Sequence, residues 1–331
     1  MTFDQFLPLF FMAIMGLALL AYVVLDGYDL GVGLLLPRGH DAQKDTMIAS
    51  IGPFWDANET WLVLGVGVLL VAFPKAHGVV LQALYLPVAV MLIGLILRGV
   101  AFDFRAKAPV AYKPFWNRAF FTGSFLASTA QGWMLGSYIT GFDHSPLGWV
   151  FSLCIALTLP AAYVMLGAGW LIMKTDGALQ QQATRWARQA LWPMAASLLA
   201  ISLATPMVSD AVWDKWLAVP EVFMLLPVPL MSALALVAIH WVSSRPALVE
   251  AGYGWLVFAN TVLIFVLAFF GLAYSLYPDV VIGQMTVYEA AAAPQSLAVT
   301  FIGVAITVPV IVAYTIFMYR VFWGRARALS Y

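Results

Sequence analysis

The chain has 331 residues, of which 63% are hydrophobic and 10% are charged, and its formal net charge is zero. Soluble domains carry about 25% charged residues, so polar side chains cannot cover a globular surface here and we expect lipid to surround most of the chain. The neutral charge balance gives no basis for binding nucleic acid. Cys154 is the only cysteine, which excludes an internal disulfide.

Nine apolar segments follow one another along the chain, and each is close to the roughly 20 residues that a membrane span needs. The first segment has no basic region before it and is too long for a signal-peptide core, so we expect a retained helix. The links between segments are too short for a soluble domain. The sequence therefore predicts an all-α polytopic membrane protein with nine transmembrane helices. The predicted segments are about 7–36, 54–73, 79–102, 120–140, 147–173, 190–208, 222–243, 253–277 and 297–323.

The distribution of Lys and Arg predicts the orientation, because cytoplasmic loops are enriched in these residues. Links on the N-terminal side hold only Lys75 and Lys215, whereas thirteen basic residues lie on the other side. We therefore predict a periplasmic N-terminus and a cytoplasmic C-terminus, which agrees with an odd number of helices. The thirteen are Arg38, Lys44, Arg105, Lys107, Lys113, Arg118, Lys174, Arg185, Arg188, Arg245, Arg320, Arg325 and Arg327.

Two segments resemble each other: helix one ends YVVLDGYDLG at 22–31, and helix five ends YVMLGAGWLI at 163–172. A parallel duplication of a four-helix unit would explain this similarity, and chance similarity between apolar stretches is the alternative. If the duplication is real, only the first copy kept its acids, which Gly167 and Trp170 replace in the second. The predicted units are a four-helix bundle at 1–145, a second at 146–277, and a peripheral final helix with a cytoplasmic tail at 278–331.

Four acids lie inside or at the edge of the first two segments, namely Asp26, Asp29, Asp56 and Glu59. A carboxylate in hydrocarbon is costly and marks a functional site by default. At a rise of about 1.5 Å per residue, all four lie near the inner end, at the level of Arg98 in the third segment. Each pair has i,i+3 spacing, which places both acids on one helix face.

One arginine cannot pair with four carboxylates, and a buried carboxyl group without a counter-charge tends to be neutral. Such groups can take up and release protons, so we interpret the four acids as a proton entry route with Arg98 as their polar partner. The alternatives are that the acids are helix-end caps in contact with headgroups, with Asp56 complementing a helix dipole, and that Arg98 snorkels to the surface. Gly27, Gly31 and Gly33 predict close helix packing beside these acids.

The histidines do not predict a heme or metal site in this chain. His40 and His77 lie in links, His144 lies in an outer turn, and only His240 falls within a predicted helix. No two of them have the spacing of paired ligands, and no CxxCH motif is present. Any metal centre is therefore expected in a partner protein.

Three motifs carry a resemblance to a known family: LDGYDLGVG at 25–33, GPFWDANETWLVL at 52–64 and LRGVAFDFR at 97–105. Together with MTVYEAAAAPQSL and YRVFWGR near the end, they resemble subunit II of the bacterial cytochrome bd-type quinol oxidases. The compact chain is similar to the shorter members, including the cyanide-insensitive oxidases.

The resemblance implies a subunit of a heterodimeric enzyme of the bacterial cytoplasmic membrane that oxidises quinol and reduces oxygen to water. In that family, subunit I holds two b hemes and one d heme, sometimes replaced by b, and subunit II has two four-helix bundles plus one helix. The motif matches imply that Asp56 belongs to a cytoplasmic proton route, that Asp29 and Arg98 belong to its polar layer, and that Trp61 lies near an oxygen tunnel.

The resemblance leaves some partners open. A structural quinone is bound to subunit II in some members, and a small single-helix subunit is a further candidate partner. Two rival functions also remain at this stage. One is a proton-coupled secondary transporter, although such transporters often show inverted repeats, and the other is a subunit that serves assembly alone.

Overall fold

The structure is a computed structural model that describes residues 2–208, 212–213, 216 and 221–326. Nine long helices dominate it, and each overlaps one predicted segment, so the prediction of an all-α protein is confirmed. They are α1 (Phe3–Leu35), α2 (Trp55–Ala72), α3 (Pro74–Lys107), α4 (Lys113–Ile139), α5 (Pro146–Lys174), α6 (Gly177–Val208), α7 (Pro227–Ser243), α8 (Trp255–Leu276) and α9 (Pro294–Val321).

Short elements occupy several of the links. The strands Asp279–Val281 and Met285–Thr286 pair antiparallel, with Asp279 opposite Thr286. The remaining short helices are Leu36–Arg38, Asp41–Ala49, Val110–Tyr112, Glu221–Leu225, Pro246–Leu248, Val249–Tyr253 and Val287–Ala290.

Seven of the long helices are long and apolar enough to cross a membrane, and α7 forms an eighth candidate with Pro246–Tyr253, across a bend of 92°. The helix α4 is not among these candidates. It carries polar and small residues where it packs on its neighbours: Gly123 lies against Arg98 of α3, and Gly132 against α5. The protein is therefore a multi-pass membrane protein, while the count of nine spans and the orientation stay predictions. Lys215 and Arg327, which contribute to the orientation, lie outside the described residues.

Several helices begin earlier than predicted, and the difference is largest for α6 and α4. The helix α6 starts at Gly177 rather than near 190, and α4 starts at Lys113 rather than near 120. In both cases hydropathy marks only the apolar part of the helix, whereas the polar first turns still form backbone hydrogen bonds. Proline is common in the first turn of a helix because N–H groups there have no partner within the helix, so the N–H that proline lacks is not needed. Five of the long helices have a proline in the first turn: Pro74, Pro114, Pro146, Pro227 and Pro294.

The C-terminal half of α1 is the most deeply buried part of that helix, since residues 26–36 are all buried. Gly31 lies against the backbone of α5 at Tyr163 and Gly167, so the two helices touch through their main chains. Gly27 accommodates the ring of Tyr163, and Gly33 faces Ser124 of α4. The predicted small-residue packing surface of helix one is therefore present, and it serves two neighbouring helices.

One buried apolar cluster includes residues of α1 and of α3 to α8, with Trp55 and Leu62 of α2 packed against it, and therefore spans both predicted bundles. A second cluster lies at the other end of α1, where Leu7 and Phe11 pack with residues of the strand pair. The helix α9 is peripheral, because only Leu297 and Val304 of its residues are buried. The division into units at 1–145, 146–277 and 278–331 stays a prediction.

Candidate functional site

Arg98 of α3 is at the centre of a buried ion-pair cluster. Its Nη1 lies 2.7 Å from Oδ1 of Asp26 in α1, and its Nη2 contacts Oε1 of Glu59 in α2. Arg98 is 2% exposed and Asp26 is fully buried, whereas 31% of the Glu59 side chain is exposed. Three helices are thus joined by one guanidinium group, at the common level that their lengths predicted. Arg98 does not snorkel to the surface.

Asp29 lies in the same layer but has a different environment. Its Oδ2 accepts a hydrogen bond of 2.8 Å from Nδ2 of Asn58, and no ion pair of Asp29 occurs among the described residues. Its Oδ1 is buried and has no hydrogen-bond partner in that part of the chain. A small cavity of about 10 Å³, the space of roughly one water molecule, is lined by Asp29, Arg98 and five other residues. Those two side chains supply the charged groups in its otherwise apolar lining.

Asn58 extends this environment towards α9. Its Nδ2 also lies 2.8 Å from the Tyr28 hydroxyl and 3.2 Å from the Leu25 carbonyl oxygen. The Tyr319 hydroxyl donates to Oδ1 of Asn58 at 3.1 Å and lies 2.5 Å from the hydroxyl of Tyr28. A polar network therefore connects the acids of α1 to the last helix. The sequence did not predict Tyr28, Asn58 and Tyr319 as site residues, because neutral polar side chains within apolar helices do not stand out as ionised side chains do.

Asp56 differs from the other three acids because it is exposed, in the first turn of α2. It interacts electrostatically with Asp103 of α3 rather than with Arg98. The i,i+3 spacing predicted that Asp56 and Glu59 share a helix face, but Glu59 turns inward to Arg98 and Asp56 outward. The alternative in which Asp56 complements the α2 dipole is compatible with this position. Asp103 was also missed, although it lies within the LRGVAFDFR motif.

Trp61 joins α2 to α9, since its indole Nε1 donates to Oγ1 of Thr315 at 3.2 Å. The side chain is half-buried. Trp61 thus lies on the face of α2 that meets the peripheral helix. Its role in an oxygen path stays a prediction.

Outside the spans, a second ion-pair group ties the same end of α3 to the link between α1 and α2. Asp45 lies 2.8 Å from Nη1 of Arg105 and 3.2 Å from Nζ of Lys113. Partial burial raises the pKa of Asp45, but the hydrogen bonds and charges of Arg105 and Lys113 outweigh it, so its net pKa is lowered. The ion pairs that Asp45 makes with Arg105 and Lys113 therefore persist at neutral pH.

The histidines do not fit a heme buried in this chain. His40, His144 and His240 are exposed, and His77 is half-buried at the start of α3. Heme iron needs an axial side-chain ligand within a shielded pocket. Within the described ranges, no group of three or more His, Cys, Asp or Glu side chains could hold a metal ion.

Comparisons with known proteins agree with the motifs. The family model described as cytochrome bd terminal oxidase subunit II matches residues 7–322. Cytochrome bd ubiquinol oxidase subunit 2 of Bacillus subtilis is 26% identical over 323 residues, which cover 92% of each chain. Cytochrome bd-I ubiquinol oxidase subunit 2 of Escherichia coli is 30% identical over 195 residues, 54% of this chain and 51% of that protein.

A solved structure supports the fold. A chain of the bd oxidase from Geobacillus thermodenitrificans superimposes with a TM-score of 0.74 at 19% identity, over 96% of this chain and 99% of that one. The family implies a complex that contains hemes and a partner subunit I. On the family model and the full-length relative, the chain belongs to the cytochrome bd terminal oxidase subunit II family and is part of a membrane-bound quinol oxidase.

Proposed function

We propose that this chain provides the inner-end proton inlet through which its complex takes up the protons consumed in oxygen reduction. One observation carries the proposal: three acids converge around a single buried arginine, while a fourth acid, Asp56, is exposed at the same end. A cluster of three acids and one cation is electrically neutral only when two of the acids hold protons. Because burial of uncompensated charge is costly, the cluster can hold and exchange protons.

The geometry supports an order for the route. Asp56 faces outward beside Asp103 and is the natural point of proton uptake. Glu59 lies one turn further along α2, and its partly exposed carboxylate contacts Arg98. Asp29 and Arg98 both line the same small cavity, which brings the route next to Asp29. The route thus runs from an exposed acid to the fully buried Asp29.

The hemes, two of type b and one of type d or three of type b, belong to subunit I in this proposal, since the histidines of this chain do not fit them. When bound in that partner, the hemes reduce oxygen with electrons from quinol. This chain then contributes proton delivery through Asp56, Glu59, Asp26 and Asp29, and Trp61 lies beside the oxygen path. A structural quinone on this chain and a small single-helix subunit are further proposed partners.

The proposed orientation places the acid cluster at the cytoplasmic face of the bacterial inner membrane. Basic residues support it, since Arg105 and Lys113 lie at the cluster end of α3 and α4 and cytoplasmic loops are enriched in Lys and Arg. Protons would then be taken from the cytoplasm, while quinol oxidation at the outer face of subunit I releases protons outside.

The experiment that tests the inlet compares wild type with Asp56→Asn in the purified complex. Oxygen consumption with quinol is measured together with the heme spectrum. We expect an intact spectrum and a loss of turnover of about tenfold or more, as for removal of a group that transfers protons. Loss of the hemes would make Asp56 structural, and unchanged turnover with intact hemes would exclude it from the inlet.

A second candidate role, in assembly alone, is favoured by the bridge that Arg98 makes between α1, α2 and α3. It predicts that neutralising Asp29 or Asp56 changes the yield and heme content but leaves the turnover per heme unchanged. The transporter alternative is set aside because the family model covers nearly the whole chain.

A further inference from the structure

A second polar group, which the proposed route does not use, joins α1, α4 and α5. The Tyr163 hydroxyl donates to Oε1 of Gln131 at 2.5 Å, and Nε2 of Gln131 donates to the Tyr22 hydroxyl oxygen at 2.9 Å. All three side chains are buried. Polar side chains at such depth face the bundle interior and mark functional positions, so this triad (Tyr22, Gln131 and Tyr163) requires an explanation.

The triad has a direction, because a tyrosine hydroxyl carries one proton and the two ends of an amide differ. Tyr163 gives its proton to Gln131, whereas Tyr22 accepts from Gln131 and keeps its own proton. Asp26 lies one helical turn after Tyr22, close enough for the Tyr22 hydroxyl to interact with its carboxylate. Apart from the ion pair with Arg98, neither oxygen of Asp26 accepts a well-aligned hydrogen bond within the described ranges. The Tyr22 hydroxyl is therefore free to donate its proton in a hydrogen bond to the carboxylate of Asp26.

The packing holds this arrangement in place. The Tyr163 ring occupies the space that a side chain at Gly27 would fill. The ring also stacks parallel to Phe265 of α8, with the ring centroids 6.1 Å apart and an interplanar angle of 3°. Tyr163 therefore cannot turn away from Gln131 without disturbing both neighbours. The amide of Gln131 does not titrate, so the triad can orient a neighbour but cannot pass protons towards α5.

We propose that the triad positions the Tyr22 hydroxyl towards Asp26 and keeps Asp26 as the fixed anionic partner of Arg98. Asp29, whose one hydrogen bond in the described part of the chain comes from the neutral amide of Asn58, is then the buried acid that exchanges protons. The inference rests on the proposed inlet and assigns different roles to the two acids of α1. The charged and titratable groups that interact with Asp26 are Arg98, Glu59, Asp29, Tyr22, Tyr163 and Tyr319.

The test uses the whole oxidase complex with Tyr22→Phe, Gln131→Met or Tyr163→Phe. For each variant, the heme spectrum reports assembly, and quinol-driven oxygen consumption is measured across a pH series. We expect intact hemes and, for Tyr22→Phe, a loss of activity on acidification that begins about one pH unit higher, the size of one lost hydrogen bond to a charged group. The shift should be smaller for Gln131→Met and smallest for Tyr163→Phe, because their effects pass through Tyr22.

Tyr138→Phe is the matched control. The Tyr138 hydroxyl donates to the Val280 carbonyl oxygen at 2.6 Å, close to the strand pair and outside the cluster. Its removal deletes a comparable tyrosine hydrogen bond from α4 without touching the acids, so the pH profile should match wild type. A Tyr22→Phe profile equal to that of Tyr138→Phe, or equal shifts for all three triad variants, would overturn the positioning role.

The two acids are compared directly with Asp26→Asn and Asp29→Asn. We expect Asp26→Asn to lose hemes because Arg98 loses its fully buried partner and keeps only the partly exposed Glu59, and Asp29→Asn to keep hemes with turnover lowered about tenfold or more. The reverse pattern would overturn the inference. If neither Asp29→Asn nor Asp56→Asn slows an assembled complex, the proposed inlet itself fails. If these variants slow it but Tyr22→Phe leaves the pH profile unchanged, only the positioning role fails.

Discussion

The similar segments of α1 and α5 lie against each other in the structure and have different chemistry. Tyr22 and Tyr163 occupy the same place in the two segments, and both bind Gln131, one as acceptor and the other as donor. One turn later, α1 carries Asp26 where α5 carries Gly167, which packs on the backbone of α1. One helix thus supplies the buried charge, and the other supplies the space for close contact.

The next turn repeats this difference. Asp29 of α1 corresponds to Trp170 of α5, which stacks on Tyr28 with ring centroids 4.0 Å apart and donates its indole Nε1 to the Ser50 carbonyl oxygen at 3.1 Å. Tyr28 in turn belongs to the polar network of Asp29 and Asn58. The aromatic segment of α5 therefore packs beside the polar network that contains Asp29 of α1.

The largest effect is expected where the two segments touch. Gly31→Val places a side chain where the Tyr163 carbonyl oxygen lies, and a backbone group cannot move aside as a flexible side chain can. We expect α1 and α5 to separate, at a cost above the roughly 1–3 kcal/mol of ordinary overpacking, and no assembled complex to form. Yield and heme content of the purified complex measure this outcome.

Gly67→Ala is the control for this variant. Gly67 lies inside α2, and a methyl group added there would meet no side chain or neighbouring helix of the described residues within 4 Å. Alanine also favours a helix by about 0.5–1 kcal/mol over glycine. Assembly should equal or exceed that of wild type. A stable, fully loaded Gly31→Val complex would show that the two segments do not need their backbone contact.

The second-largest effect is expected at Arg98, which pairs with Asp26 of α1, whereas α5 has Gly167 at the matching position. Arg98→Met leaves Asp26 buried without its cation, and breaking a buried ion pair in this way costs about 3–5 kcal/mol. The midpoint of thermal inactivation should fall steeply, and heme content should fall with it. The control is Arg245→Met, because Arg245 lies over the Trp241 ring at 4.5 Å and forms no ion pair in the described part of the chain. Equal losses in the two variants would contradict a central role for the Arg98 cluster.

Sequence alone predicted the parts of this site that carry charge. Asp26, Glu59 and Arg98 stand out because ionised side chains are rare in apolar helices, and helix length then predicts their common depth. Helix length does not give the rotation of each helix about its axis. For that reason Asp56 was grouped with the other acids, although it lies on the exposed face of α2.

The neutral polar residues could not be predicted. Gln131 and Tyr163 lie more than a hundred residues from Tyr22 and resemble ordinary residues of apolar helices, so only the packing of α1, α4 and α5 reveals that they form one group. Tyr319 is nearly three hundred residues from Tyr28, yet the two hydroxyls lie 2.5 Å apart. The resemblance between the segments did align Tyr22 with Tyr163, but it gave no indication of the glutamine between them.

A smaller effect is expected at the aromatic wall. Trp170→Phe keeps an aromatic ring against Tyr28 but removes the donor to the Ser50 carbonyl oxygen. A lost hydrogen bond and a small void should lower stability by about 1–3 kcal/mol, with the turnover of assembled complexes close to wild type. Thermal inactivation and turnover per heme are the measurements. A fall in turnover at unchanged stability would mean that α5 takes part in the chemistry as well as the packing.

The smallest effect is expected at Asp45, outside both segments. Its lowered pKa means that Asp45 stabilises the folded chain above the pKa of an unfolded aspartate, about 3.9, and that this contribution is lost as the pH falls below that value. Half of the side chain is exposed, so solvent screening limits the contribution to about 0.2–1 kcal/mol. Asp45→Asn should therefore lower the inactivation midpoint slightly at neutral pH, and the difference from wild type should shrink on acidification towards pH values of about 3. A difference that grows on acidification would show that the interaction of Asp45 with Arg105 and Lys113 does not stabilise this end of the molecule.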